Sequence, residues 1–363
     1  MDQLRTGRLA IVIVNWNSGR WLRRCLESMS NCEHLDRVSQ VVVIDNDSHD
    51  NSCDELPTME VPFCVIRNDS NRGFAVACNQ GARYCHAEYL LFLNPDTELR
   101  ANSIAVPLEF LDDPCNRDVG ICGIQLLDHR GQVARSCSRL PTSYNLLTRA
   151  WRLHCLSRRL FPPQFLKEWD HSETRVVEQI IGAFFLVRTP LYEQLSGFDE
   201  RFFVYFEEVD FCERTRQLGI KTVYLSSAQA RHVGGGCSIK DMGRAHFFLL
   251  RSRMAYAKKH FSRWQSILID ISTLIAEPFI HFISYTVRLK WKKMRLLFYT
   301  FGLLWHDRIR LGDTGDHSVM CKELQTRTQE VTHVKPPMQT RIDDCEAASA
   351  QTTPTAVECG CLP

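Results

Sequence analysis

Four apolar, β-branched runs near the N-terminus each stop in a block of polar residues, and this repetition restricts the fold more than any other feature. The runs are Leu9–Val14, Val41–Ile44, Phe63–Ile66 and Tyr89–Leu93, and a fifth follows at Gly120–Gly123. Continuous apolar stretches of strand length, without alternation, read as strands buried on both faces. Helical stretches of roughly 15 residues separate them, the spacing of βαβ units. The expected fold class is therefore α/β, a Rossmann-like and mostly parallel sheet with helices on both faces.

The polar blocks are Asn15-Trp16-Asn17-Ser18-Gly19, Asp45-Asn46-Asp47-Ser48, Arg67-Asn68-Asp69-Ser70-Asn71-Arg72-Gly73 and Asn94-Pro95-Asp96-Thr97. All follow the carboxyl ends of their strands, where open α/β sheets gather ligands. One such block is a loop; four at the same end outline a site. Asp96 is thus placed to meet a ligand or a metal, although Asn-Pro-Asp-Thr alone equally suits a turn that caps the next helix. At the second block, Asp45, Asn46 or Asp47 suits a ribose hydroxyl or a base edge. In the third, Arg72 can meet phosphate and Gly73 permits close backbone approach, or simply turns the chain.

Carboxylates concentrate again at Glu207, Glu208 and Asp210, within "VYFEEVDF". Adjacent acids among aromatics are costly to bury as a charged pair. They read either as a cleft wall in which one carboxylate is a base of raised pKa, or as a solvated helix N-terminus. His232 follows the strand-like "KTVYL" and is able to complete a metal shell with Asp96. Residues 141–175, less regular, read as an excursion over the surface.

The chain has 363 residues, 44% of them apolar and 24% charged, with a net charge of +2. That composition is ordinary for a globular enzyme, and no basic footprint for nucleic acid precedes residue 288. Sixteen cysteines are scattered singly with no C-x-x-C pair, which excludes zinc spacing. Several, such as Cys64 and Cys122, sit in apolar runs as small hydrophobes, and a reduced cytosolic setting follows. The first apolar run is too short for a signal peptide.

Beyond residue 263 the character changes. Trp264–Val287 is strongly apolar but carries Asp270, Glu277, Pro278 and His281, which makes it a poor bilayer span. Arg288, Lys290, Lys292, Lys293 and Arg295 follow, then a short apolar stretch at 296–305. Apolar residues interleaved with such a cluster suit a segment lying in a membrane surface, or a helix pair packed on the main domain or on a second subunit. Residues 311–363 are polar, aromatic-poor and read as disordered.

Taken together, "IVIVNWNSGRWLRRCLESM", "VVVIDNDSHDNS", "VIRNDSNRGFAVACNQGA", "YLLFLNPDTEL", "IGAFFLVR", "GFDERFFVYFEEVDFCERTRQLG" and "RHVGGG" resemble the family 2 glycosyltransferases, most nearly the bacterial rhamnosyltransferase-like subgroup. The resemblance covers roughly residues 9–260. It implies a GT-A domain over residues 1–262, with a nucleotide-sugar half at about 9–125 and an acceptor half at about 126–262. A helical membrane-surface segment at 263–310 and the tail would follow.

By the same resemblance, Asp45 and Asn46 hold the base and ribose of the donor, and Asn15 and Asn17 line that pocket. Asn94 and Asp96 stand at the metal motif, for Mg²⁺ or Mn²⁺, with His232 nearby. Glu208, or its neighbour Glu207, stands at the catalytic base. The implied reaction inverts the anomeric centre, moving L-rhamnose from dTDP-rhamnose to a glycan or a polyprenyl-diphosphate-linked glycan in surface-polysaccharide (O-antigen or cell-wall) assembly. The protein would sit peripherally on the cytoplasmic face of the inner membrane. A UDP-hexose or galactofuranosyl donor, or a non-catalytic nucleotide-sugar-binding module, are the competing expectations.

Overall fold

Every residue of the first apolar run is buried, and it forms an inner strand of a nine-stranded sheet. The computed structural model describes residues 8–311 apart from positions 55, 158, 162, 163, 165, 167 and 235–240. The expected disordered tail lies outside the described residues.

In chain order the first elements are β1 (Leu9–Asn15), α1 (Arg20–Met29), β2 (Val38–Asp45), β3 (Phe63–Arg67), α2 (Phe74–Ala82), β4 (Tyr89–Leu93) and β5 (Thr97–Leu99). Next come α3 (Asn102–Asp112), β6 (Val119–Leu127), β7 (Cys137–Ser138), α4 (Ser143–Ala150), β8 (Arg175–Val177), β9 (Gln179–Ile180) and β10 (Phe184–Arg188). The rest are α5 (Thr189–Gln194), α6 (Glu207–Gln217), β11 (Lys221–His232), α7 (Met242–His260), α8 (Arg263–Ile271), α9 (Glu277–Val287) and α10 (Trp291–Leu311).

The large sheet runs β3-β2-β1-β4-β10-β6-β11-β5, with β8 pairing β11 off this path, and β7 and β9 form a small separate ribbon. Strands β3, β2, β1 and β4 are all parallel, as the βαβ spacing requires. The second half is mixed. Strand β10 lies antiparallel between β4 and β6, and β11 is parallel to β6 but antiparallel to β5 and β8.

Alternate residues of β1 feed two layers. Ile11 and Ile13 join Leu22 and Leu26 of α1 and Ile104 of α3, whereas Ala10, Val12 and Val14 join Ala75 and Cys78 of α2. This two-sided burial is why the run is continuously apolar. A Cβ on Gly81 would fall 2.4 Å from Val12 Cγ1, so only glycine lets α2 press this closely on the sheet. Cys122 is buried in the core, but Cys64 is exposed on the edge strand β3, so the apolar-run argument holds for one and fails for the other.

Two boundaries differ from the sequence reading. The region 141–175 contains α4, opened by a capping box in which Thr142 and Asn145 exchange hydrogen bonds. The strand expected at "KTVYL" continues for 12 residues, which places His232 on β11 itself.

The C-terminal helices also differ in part. Arg263–Val287 is helical for 25 residues and, at a mean hydropathy of 1.5 over its most apolar window, is long and apolar enough to cross a membrane by length and composition. Only 39% of that window is buried within the protein, where one side packs on α7 and α4.

Candidate active site

The four polar blocks converge because their strands are neighbours in register. Asn15 of β1 stands opposite Asp45 of β2. Beyond the strands, the Asn46 N–H donates to the Asn15 carbonyl at 2.8 Å, and the Asn68 N–H to the Asp45 carbonyl at 2.9 Å. The second loop is thus tied to the first and the third to the second.

Asn15 itself does not line an open pocket. Its side chain is fully buried, donating to Asp45 Oδ1 at 3.1 Å and Ser52 Oγ at 2.9 Å and accepting from Ser18. It braces the carboxylate that the sequence assigned to the nucleotide. Asn17 adopts a left-handed conformation (φ 49°), and its Oδ1 accepts from the His49 N–H at 2.8 Å. Both asparagines shape the Asp45 loop from behind.

Asn46 is the hub of the third loop. Its amide donates to Asn71 Oδ1 at 2.9 Å and to the Gly73 carbonyl at 3.2 Å, and its Oδ1 accepts from the Arg72 N–H at 3.1 Å and from Asn68 at 3.1 Å. The sequence quoted Asn68 and Asn71 without giving them work. A loop this dense in asparagine, whose side chains imitate backbone groups, was the available signal. The Arg72 side chain remains exposed.

Gly73 has φ 88° and begins α2, and the next N–H, of Phe74, donates to the Phe203 carbonyl at 2.6 Å. A Cβ at Gly73 would lie 2.6 Å from that same carbonyl. Glycine is required here on both counts, and it joins the nucleotide-side loops to the segment leading into α6. Asn79 strengthens the joint by accepting from the Phe198 N–H at 2.9 Å and donating to its carbonyl at 2.8 Å.

The turn after β4 closes through the Thr97 N–H to the Asn94 carbonyl at 3.1 Å, and the chain continues into β5. There Thr97 pairs with His232 of β11. This pairing brings two residues distant in sequence together, with His232 Nε2 3.3 Å from Asp96 Oδ1. Asp96 is buried at 5% exposure.

No cluster of three or more His, Cys, Asp or Glu suited to a metal occurs among the described residues. One carboxylate with one imidazole nevertheless fits a Mg²⁺ or Mn²⁺ ion that draws its other ligands from water and substrate phosphate. The partly buried Asn94 sits at the head of the same turn.

Glu207 and Glu208 open α6 immediately after two non-glycine residues in left-handed conformation, Tyr205 (φ 65°) and Phe206 (φ 71°). Two such residues in succession are costly and mark a turn the surrounding structure enforces. They set the two carboxyl groups side by side at the start of α6, where each shifts the titration of the other.

Glu207 is 4% exposed, and burial together with the adjacent Glu208 charge raises its pKa well above the carboxylate range. Burial raises Glu208 to about 7, against the pull of the N–H groups at the helix start. One oxygen of each, Oε2, is buried with no hydrogen-bond partner. The expectation of a cleft wall fits this pair better than a solvated helix end.

Asp210 departs from the catalytic expectation. It is fully buried one helical step away, bonded to Arg214 (2.8 Å), Lys259 (2.6 Å) and His260 (2.7 Å). Burial alone would raise its pKa, but His260, Arg214 and Lys259 together hold it below the usual range. With Oδ2 bonded to Arg214 and Oδ1 to Lys259 and His260, Asp210 anchors α6 to α7. Spacing alone could not separate this acid from its two neighbours.

Residues 10–160 match the profile of the family described as glycosyl transferase family 2. The chain is 26% identical over 245 residues to N-acetylglucosaminyl-diphospho-decaprenol L-rhamnosyltransferase of Mycobacterium tuberculosis, spanning 62% of this chain and 76% of that protein. It is 22% identical over 275 residues to the rhamnosyltransferase WbbL of Escherichia coli K12, spanning 71% of this chain and 98% of that one. Among solved structures, a mannosyltransferase of Pyrobaculum calidifontis in complex with GDP-Man and Mn²⁺ superposes over 83% of this chain and 88% of its own, with a TM-score of 0.49 and 15% identity. The α/β sheet, parallel through its first four strands and with polar loops at their carboxyl ends, is the expected fold class. Residues 10–160 thus match glycosyl transferase family 2, and by these comparisons the chain is a glycosyltransferase.

Proposed function

We propose that this enzyme inverts the anomeric centre of a nucleotide-activated sugar, L-rhamnose from dTDP-rhamnose as first candidate, while transferring it to a hydroxyl of a lipid-linked glycan at the cytoplasmic face of a membrane. The observation that carries the reading is the Glu207–Glu208 pair, Glu207 buried and Glu208 half-buried, docked through Phe203 and Gly73 against the loops assigned to the nucleotide. A protein that only bound nucleotide sugars would have no use for a Glu208 raised to about 7 beside a second, buried acid.

In this reading Asp45 and Asn46 hold the nucleoside, with Asn15 and Asn17 behind them. Arg72 and the α2 N-terminus at Gly73 face the diphosphate. Asp96 and His232, with Asn94 beside them, would hold Mg²⁺ or Mn²⁺, which neutralises charge on the departing diphosphate. Glu208 takes the proton of the acceptor hydroxyl as its oxygen bonds to C1 from the face opposite the leaving group. The C1–O bond to the diphosphate breaks with its electron pair, and no covalent enzyme intermediate forms. Burial keeps the pKa of Glu208 high, while Glu207, held neutral, favours its charged form and moderates the rise. Support for the sugar and acceptor comes from the names of the two bacterial relatives.

The test incubates the full chain with a panel of nucleotide sugars and a polyprenyl-diphosphate-linked glycan, with and without Mg²⁺ or Mn²⁺. Metal-dependent release of dTDP and a product of inverted anomeric configuration are expected. Preference for a UDP-hexose or galactofuranosyl donor would replace the rhamnose assignment. Donor binding without release under any condition would replace the enzymatic one.

A further inference from the structure

The rod formed by α8, the π-helical turn Ser272–Ala276 and α9 is inside out. On its outer face Trp264, Leu268, Ile271, Ile275, Phe279 and Val287 are 50–78% exposed. On its inner face Ser266, Ser272, Thr273, Glu277 and His281 are at most 8% exposed. A helix on the surface of a water-soluble protein does the reverse.

The second helix of the hairpin continues the same surface. Phe298, Trp305 and Ile309 of α10 are exposed, and Phe298 stacks edge-on against Phe282 of α9 with ring centres 6.0 Å apart. An apolar face this extensive marks an interaction surface.

The inner face is polar because it is bonded to the catalytic body. Three cations of α7 each meet an acid of the hairpin: Arg251 with Asp307 (3.2 Å), Arg253 with Glu277, and Lys258 with Asp270 (3.7 Å). Arg253 also donates to Thr273 at 2.8 Å, and Trp151 beyond α4 donates to Ser272 at 3.1 Å. Buried pairs of this kind contribute little net stability but fix one arrangement. For the rod to cross a bilayer, Asp270 and Glu277 would have to leave these partners for hydrocarbon, and the buried His281 would enter it with them.

The charges around the face select its occupant. Arg288, Lys290, Lys292, Lys293 and Arg295 are all exposed at the connection between α9 and α10. A second copy of the chain seated face to face would bring two such clusters to one rim, whereas an anionic lipid surface complements them. A spanning hairpin would carry the same cluster across, against the usual retention of basic residues on the cytoplasmic side.

We infer that α8–α10 form a monotopic hairpin, its outer face immersed in one leaflet, its basic connection on anionic headgroups, and its ion-paired inner face holding the catalytic domain at a fixed attitude to the lipid. This deepens the membrane contact contained in the proposed function. It is tested by lipid binding and not by turnover, so either can fail without the other.

The full chain is floated with vesicles of phosphatidylcholine, alone or mixed with phosphatidylglycerol. Binding to the mixed vesicles is expected to exceed binding to neutral ones by about tenfold or more, and to fall about as much in Lys292→Glu/Lys293→Glu. Ile275→Glu/Phe279→Glu, both on the outer face, should abolish flotation. Alkaline carbonate should strip the wild-type protein from the vesicles. Brominated acyl chains should quench tryptophan fluorescence in the wild-type chain, a readout independent of how the variants fold. Resistance to carbonate would overturn the one-leaflet arrangement in favour of a span. Absence of flotation and quenching, with a dimer that Ile275→Glu/Phe279→Glu dissociates, would assign the face to a second copy.

Discussion

At the scale of single residues, neighbouring acids that look alike in sequence are separated by what surrounds them. Burial raises Glu207 and Glu208, whereas Asp210 lies against His260, Arg214 and Lys259 and is lowered. Glu208→Gln is therefore expected to reduce kcat by at least about 10²-fold with donor KM little changed, the scale of removing a general base. The base works only when deprotonated, so kcat in the wild type should climb as pH rises through about 7, and this limb should vanish in the variant. Steady-state kinetics across pH checks both. A larger loss from Glu207→Gln than from Glu208→Gln would move the base to Glu207.

Asp210→Asn has the opposite profile. It leaves Arg214, Lys259 and His260 around an amide in a buried site, and should cost on the order of 3 kcal/mol in urea unfolding. Because the folded-state pKa of Asp210 is depressed, its contribution is present above the ordinary aspartate value. It is lost as pH falls through the folded value. The gap between wild type and variant should therefore close on acidification. A constant gap would mean that Asp210 contributes by shape and not by charge.

At the scale of elements, the site depends on one contact between two of them. The start of α2 meets the segment before α6 where the Phe74 N–H finds the Phe203 carbonyl, with Gly73 leaving room. Gly73→Ala imposes a left-handed alanine and a collision with Phe203, a cost of about 1–3 kcal/mol. The two loops should separate locally, so kcat should drop even under conditions where circular dichroism shows a folded chain. Thermal unfolding and kinetics on one preparation measure both. Unchanged kcat would show that the α2–α6 contact does not position the carboxyl pair.

At the scale of the whole molecule, α7 is the spine. Its C-terminal Lys259 and His260 hold Asp210 of α6, and its Arg251, Arg253 and Lys258 hold the C-terminal hairpin. The carboxyl pair and the apolar face are thereby referred to one helix. On the opposite side of the sheet's loop region, ligand binding should add to global stability by mass action. Saturating dTDP at about 100 times its Kd should stabilise the fold by roughly 2.7 kcal/mol. We expect that increment to need Mg²⁺ or Mn²⁺ and to disappear in Asp96→Asn, with the melting temperature of the ligand-free variant close to wild type. Differential scanning calorimetry resolves it. A metal-independent shift retained in Asp96→Asn would remove Asp96 and His232 from the metal-binding role.

The sequence by itself determined the first four strands, their parallel pairing and the loops at their ends. Each of these rests on local patterning, in which continuous apolar runs need two covered faces and polar blocks must end them. It also marked Asp96, His232 and the Glu207–Glu208 pair as residues of interest. What only the tertiary structure decided was which groups meet. The register of β5 against β11 brings His232 to Asp96, and α7 supplies the cations that remove Asp210 from chemistry. Asn15 became a brace and not a pocket wall because its partners Ser52 and Asp45 arrive from separate loops. The same holds for Arg263–Val287. Its composition is that of a membrane helix or a core helix, and only the acids on its inner face, paired to α7, fix which side stays exposed. Periodicity is a property of neighbours along the chain, whereas desolvation and ion pairing depend on neighbours in space.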